Sequence, residues 1–180
     1  MGKGMGAALI AATVRAVMRS VAETPAIDAA FSSASATIAS DLDQSGSFVT
    51  MFHARLDSAS GRLSYIDAGH GLGLYVPAEG SAHRLVSAGP PVGILEGQTW
   101  PAAELTLEPG DSLVIVSDGV LDAHDSLEDF VRNVEKAVRA ESTSEDVCAA
   151  LLNLAPAATA EDDVTAVVVR RKPAPLPAGL

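Results

Sequence analysis

The sequence predicts an α+β fold in which helices pack on antiparallel strands, and three observations lead there. Two Ala-rich stretches near the start carry apolar residues at helical spacing. The middle of the chain switches to short runs of β-branched and aromatic residues that follow one another without intervening helices. Helical spacing then returns before one closing strand, an order unlike alternating βαβ units.

Taken in order, apolar residues recur at helical period from Met5 to about Glu23 and from Ala26 to about Leu42, with Ala, the strongest helix former, dominating both. "SFVTMFHARLD" and "RLSYIDAG" flank "SASG", a turn sequence, and predict a β-hairpin. Shorter strands are expected at Leu72 to Val76, Ala82 to Val86 and Ala103 to Leu107, punctuated by Gly and Pro. "LEPGD" at 107–111 reads as a tight turn, with Pro109 presetting φ and Gly110 adding freedom, that delivers the chain into a strand from Ser112 to Ser117. Helices follow at Ser126 to Ala140 and Ser144 to Leu154, and "VTAVVVRR" closes the sheet. Residues 1–172 are expected to form one domain and 173–180 a Pro-rich tail.

A chain of 180 residues, 48% of them hydrophobic, can bury a sizeable core. Its 12 basic and 23 acidic residues give a formal net charge of −11, whose field repels phosphate backbones and anionic lipid. Nucleic acid and membrane are therefore not expected partners. The single cysteine, Cys148, has no disulfide or CxxC partner and lies at helical spacing in "EDVCAALLNLA", as a small core side chain would. A reducing, cytoplasmic setting fits. "MGKGMGAALIAATV" begins like a secretory signal, but Arg15 and Arg19 interrupt before any small-residue cleavage site, so an amphipathic helix is expected.

The most apolar strands end in acids. One finishes on Asp118-Gly119, and the other starts just after Glu161-Asp162-Asp163. If the two are antiparallel neighbours, the end of the first lies beside the start of the second, and carboxylates from both share one sheet edge. Clustered carboxylates repel unless a cation sits among them, and hard ions such as Mg²⁺ or Mn²⁺ take oxygen-only ligands. From spacing alone, a strand-ending turn followed by a solvated acidic loop accounts for the same residues.

"GKGMGAAL" at 2–9, "FVTMFHARLDSASGRLSYIDAGH" at 48–70, "GPPVGIL" at 89–95, "LEPGDSLVIVSDGVLDA" at 107–123 and "EDDVTAVVVRR" at 161–171 together resemble the catalytic domain of SpoIIE/RsbU-type serine phosphatases, within the PPM (PP2C-like) metal-dependent protein phosphatases. The resemblance implies an α-β-β-α sandwich whose aspartates hold two Mn²⁺ or Mg²⁺ ions, with a metal-bridging water attacking phosphoserine or phosphothreonine. It maps metal ligands onto Asp118 and Asp162, with Asp163 as a neighbouring acid, and leaves no catalytic residue beyond the ligands. Gly119 is expected to serve a tight turn behind Asp118, and Gly2 and Gly4 a flexible entry to the first helix. The implied partner is a phosphorylated regulatory protein, such as an anti-sigma factor antagonist; a homodimer is left open.

The family pattern also departs here. An Asp-Val-Ser-like tripeptide whose Asp bridges both metals normally precedes "GKG", and a "GGD" segment lies further upstream; the 180 residues contain neither. The chain as given is thus expected to be an N-terminally truncated phosphatase domain with little turnover. The competing readings are a non-catalytic PP2C-like interaction module and a simple divalent-cation-binding domain.

Other signals carry less. "DLDQSG" at 41–46 begins like a calcium loop, but its twelfth position is Phe52, so a polar loop is expected. "MGKGMG" lacks both a preceding strand and the Lys-Ser/Thr ending of a phosphate-binding loop. His70 in "AGHGLG" is expected to serve a turn or a hydrogen bond, and His53, His83 and His124 to be ordinary surface or strand residues. Ser117 has no GxSxG context and is not expected to be a nucleophile.

Overall fold

Helix α1, Met5–Ser20, starts at Gly4, whose φ of 93° no other residue would adopt without strain. The computed structural model describes residues 4–86, 88–154 and 163–172; the expectations for Gly2, Asp162 and the tail 173–180 fall outside them. These residues belong to two compact units, one built from Met1–Ser58, Arg62–Gly71 and Val86–Leu105, the other from Ala59–Gly61, Leu72–Leu85 and Thr106–Leu180. Among the described residues no helix is long and apolar enough to cross a membrane.

In the first unit α1 packs on α2, Ile27–Ser45, through the half-buried Ile10, Val14, Val17 and Met18. Helix α2 buries Ile27, Ala30, Phe31, Ala34, Ile38 and Leu42, a stripe at three- and four-residue spacing. It runs three residues past the expected end, so "DLDQS" forms its last turns and not a loop. The stop is Gly46, left-handed at φ 57°, with Ser47 N–H donating to the Leu42 carbonyl (2.9 Å).

Beneath α2 lies the expected hairpin of β1, Met51–Leu56, and β2, Arg62–Ala68, in the antiparallel register Met51↔Ala68 to Leu56↔Leu63. With β5, Ala103–Thr106, it makes a sheet of order β1-β2-β5. Arg55 on β1 donates to the carbonyls of Thr24 (2.6 Å), Pro25 (2.7 Å) and Ala22 (3.1 Å), which ties the α1–α2 connection to the hairpin. Two residues earlier, His53 lies against Phe31, with ring centroids 6.0 Å apart. It lies on a strand, as expected, and its Nε2 is buried without a hydrogen-bond partner among the described residues.

"AGH" and "GPPVG" meet in the same unit. Gly69, at φ 71°, has the Pro91 ring where a Cβ would stand, 2.5 Å away, and Trp100 donates from its indole to the Pro90 carbonyl (2.8 Å) while packing edge-on against Phe31. Asp67 is fully buried and accepts from the backbone N–H groups of His70 (2.8 Å) and Gly71 (2.8 Å), so His70 serves its loop through the main chain.

The second unit holds a four-stranded sheet of order β4-β3-β6-β7: β3 is Gly73–Val76, β4 His83–Arg84, β6 Ser112–Val116 and β7 Ala166–Arg170. All its pairings are antiparallel, and the expected strand at 82–86 shortens to the two residues of β4. Leu74, Val76, Val114 and Val116 join Phe130, Val134 and Val138 of α4, Leu127–Ala140, and Val147 and Leu151 of α5, Ser144–Leu154, in one core. Ser126 caps α4 by accepting from Asp129 N–H (3.1 Å). At its other end Arg170 donates to the carbonyls of Val138 and Glu141 and to Ser112 Oγ, a cation satisfying the last carbonyls of the helix.

"LEPGD" folds as expected, with Gly110 at φ 98°, and its acid turns inward. Asp111 is 3% exposed and accepts from Tyr75 Oη (2.5 Å), Ala78 N–H (2.8 Å) and Glu108 N–H (2.8 Å). Burial and this hydrogen bond push the Tyr75 hydroxyl up to about 12. Three donors converge on one carboxylate, so Asp111→Asn turns an amide donor toward other donors. It should lower unfolding free energy by about 1–3 kcal/mol in urea titrations; unchanged stability contradicts this account.

A second expectation concerns acid. Burial, and then the neighbouring Arg55, lower the pKa of His53, so the unfolded chain takes up this proton before the folded one. Stability should therefore fall as pH drops from about 6.5 through the lowered folded value. His53→Gln should flatten that part of the profile in urea titrations at successive pH values; parallel profiles would assign the slope elsewhere.

Candidate metal centre

Strand β6 ends because its backbone turns. Ser117 is still extended, at φ −78° and ψ 165°, but its carbonyl accepts from Val120 N–H (3.1 Å) and opens the one-turn helix α3, Asp118–Leu121. Asp118 is the first residue of that helix and is exposed, while Gly119 and Val120 behind it are buried. One Asp118 carboxylate oxygen, Oδ1, accepts from Gly119 N–H (3.1 Å), which leaves the carboxylate directed by its own helix start. Gly119, expected in a tight turn behind Asp118, is the second residue of the one-turn helix α3 and is not among the glycines with positive φ.

The antiparallel neighbour is the one required. Register Val116↔Ala166 places the end of β6 beside the start of β7, and Ser117 N–H donates to the Thr165 carbonyl (3.0 Å) one step beyond. Asp163, two residues before Thr165, is exposed at the same edge. Asp118 and Asp163 are thus brought to one end of one strand pair, whereas Asp162 lies outside the described residues. Gly4 sits in the first unit as the N-cap of α1.

Carboxylate oxygens at an exposed sheet edge suit a hard divalent cation in kind. Among the described residues, however, no group of three His, Cys, Asp or Glu is gathered for a metal. The donors present therefore suit such an ion in kind and would supply only part of its coordination sphere.

Ser117 is the residue that sequence reasoning passed over. Its hydroxyl accepts from Thr165 N–H (2.9 Å) and donates to the Asp163 carbonyl (3.0 Å). The available signal was a hydroxyl residue at the last position of a strand, next to an acid, where local side chain to backbone bonding replaces ladder bonds.

Comparison with known proteins gives this edge its context. The pattern of the SpoIIE family, Stage II sporulation protein E, matches residues 1–172. The chain is 38% identical over 93 residues to Protein IcfG of Synechocystis sp., an alignment covering 52% of this chain and 15% of that protein. It is 29% identical over 75 residues to the phosphoserine phosphatase RsbP of Bacillus subtilis, covering 42% of this chain and 19% of RsbP. The matched segments span less than a fifth of either curated relative. In fold, the RsbU and RsbW domains of Rv1364c from Mycobacterium tuberculosis superpose with a TM-score of 0.80 at 26% identity, over 97% of this chain and 52% of that one. The PP2C phosphatase domain of SpoIIE from Bacillus subtilis, solved with a fragment of its regulatory domain, gives a TM-score of 0.77 at 18% identity, over 97% of this chain and 53% of that one. The catalytic domain of PstP, solved with two manganese ions, gives 0.70 at 15%, over 89% of this chain and 79% of that one. The last two likenesses speak for fold alone, and the fold they share is the PP2C-like one expected from the sequence. With the family pattern running through nearly all of its length and that fold beneath it, the chain belongs to the SpoIIE family.

Proposed function

We propose that this chain is a metal-dependent protein serine/threonine phosphatase domain, in which Asp118, Asp162 and Asp163 take part in holding Mn²⁺ or Mg²⁺. The observation that carries the reading is the meeting of exposed Asp118 with the Asp163 end of β7 at one edge of the β6–β7 pair. Membership of the SpoIIE family supports it, as do a relative named as a phosphoserine phosphatase and a structural neighbour holding two manganese ions. The substrate is phosphoserine or phosphothreonine on a regulatory protein such as an anti-sigma factor antagonist, met in the cytoplasm. The bound ions would activate water and offset charge on the phosphoryl oxygens. The residues of this chain supply geometry: α3 presents Asp118, and the β7 entry presents its neighbours. A second reading, a non-catalytic interaction module, draws on the lack of a three-donor group among the described residues.

Mn²⁺ titration followed by paramagnetic broadening of amide resonances separates the two readings. Broadening should centre on residues 117–119 and 163–165, and Asp118→Asn should weaken binding by about ten-fold or more without shifting the thermal midpoint. Any Mn²⁺-dependent hydrolysis of a phosphoserine peptide should disappear in the same variant. Binding or hydrolysis that survives Asp118→Asn contradicts the proposed site and favours the interaction module.

A further inference from the structure

We infer that Ser117 is a positioning residue for the cation: its hydroxyl stands in for a backbone carbonyl and sets the spacing between Asp118 and the acidic entry to β7. The inference rests on the metal-site reading above and assigns a role to a side chain that reading does not use.

The geometry begins with a conflict in the main chain. Register Val116↔Ala166 makes Ser117 and Thr165 the next opposed pair, and continued pairing requires two bonds between them. One is made, from Ser117 N–H to the Thr165 carbonyl (3.0 Å). The return bond is not made to the Ser117 carbonyl; that oxygen accepts from Val120 N–H (3.1 Å) at the start of α3. The hydroxyl fills the gap. It accepts from Thr165 N–H (2.9 Å), and its own proton goes to the Asp163 carbonyl (3.0 Å). The chain can therefore turn Asp118 out of the sheet while the ladder continues to the residues beside Asp163. A side chain without that hydroxyl leaves Thr165 N–H and the Asp163 carbonyl without these bonds, and the β7 entry is free to move relative to Asp118.

A pair of variants of equal shape isolates the hydroxyl. Ser117→Thr keeps it and Ser117→Val replaces it with a methyl group, so any steric cost of the extra branch is common to both. The readouts are Mn²⁺ affinity by paramagnetic broadening, hydrogen exchange at the Thr165 amide, and thermal midpoint, with Asp118→Asn as reference. Ser117→Thr should bind Mn²⁺ within about two-fold of the parent, whereas Ser117→Val should bind about ten-fold more weakly and lose protection at Thr165, at temperatures where both are fully folded. Equal Mn²⁺ affinity in Thr and Val variants overturns the inference even if their midpoints differ, since a structural role alone changes stability and not affinity. Mn²⁺ binding unchanged in Asp118→Asn overturns the metal site itself, and the inference with it.

Discussion

The antiparallel pairing of β6 with β7 is the constraint on which the site depends. The paired residues of these two segments lie fifty or more positions apart along the chain, yet Ser112↔Arg170 through Val116↔Ala166 fixes which residue of one faces which of the other. Sheet register moves in whole residues, and a slip of one would turn the inward side chains of the slipped strand outward. Leu113, Val114 and Val116 are buried, and Val114 and Val116 pack with Val168 and Ala166 in the core that α4 and α5 complete. Hydrophobic packing therefore sets the register, and the register sets where the acids stand.

Polar groups then pin the ends of that pair. Arg170 at the far end of β7 bonds to Ser112 and to the last carbonyls of α4, so one side chain joins strand, neighbour and helix. Asp111, just before β6, is held by three donors, and its own carbonyl accepts from Arg171 N–H (2.9 Å). At the other end Ser117 and Thr165 extend the ladder to the acidic edge. Buried carboxylates are costly unless each oxygen is satisfied, and Asp111 and Asp67 both meet that condition through backbone donors. They are structural acids. Asp118 is exposed and keeps an oxygen for which the described hydrogen bonds name no donor, the condition a metal ligand needs.

Most elements were legible because their signals are local. Ala-rich periodicity marked α1 and α2, "SASG" marked the hairpin, and "LEPGD" marked the turn into β6. The limits moved where a single residue outranked composition: Gly46, through its left-handed φ, let α2 absorb an acidic stretch that reads as a loop. The neighbourhood of Asp118 with Asp163 was legible only as a conditional, since pairing between distant strands leaves no periodic trace in either. For Ser117 the one signal was a hydroxyl at a strand end beside an acid, and for His53 there was none. The role of Ser117 exists only because the next residue enters a helix, and the burial of His53 depends on Phe31 arriving from α2. The fate of Asp162 lies outside the described residues.

The central claim is that the end of β6 and the entry to β7 share one divalent cation. Crystals of the 180-residue chain grown with Mn²⁺ and measured at the manganese absorption edge test it most directly. The account predicts an anomalous peak within roughly 2.0–2.6 Å of carboxylate oxygens from both Asp118 and the 161–163 run. A manganese peak elsewhere on the molecule, with Asp118 hydrogen-bonded only to Gly119, would contradict it.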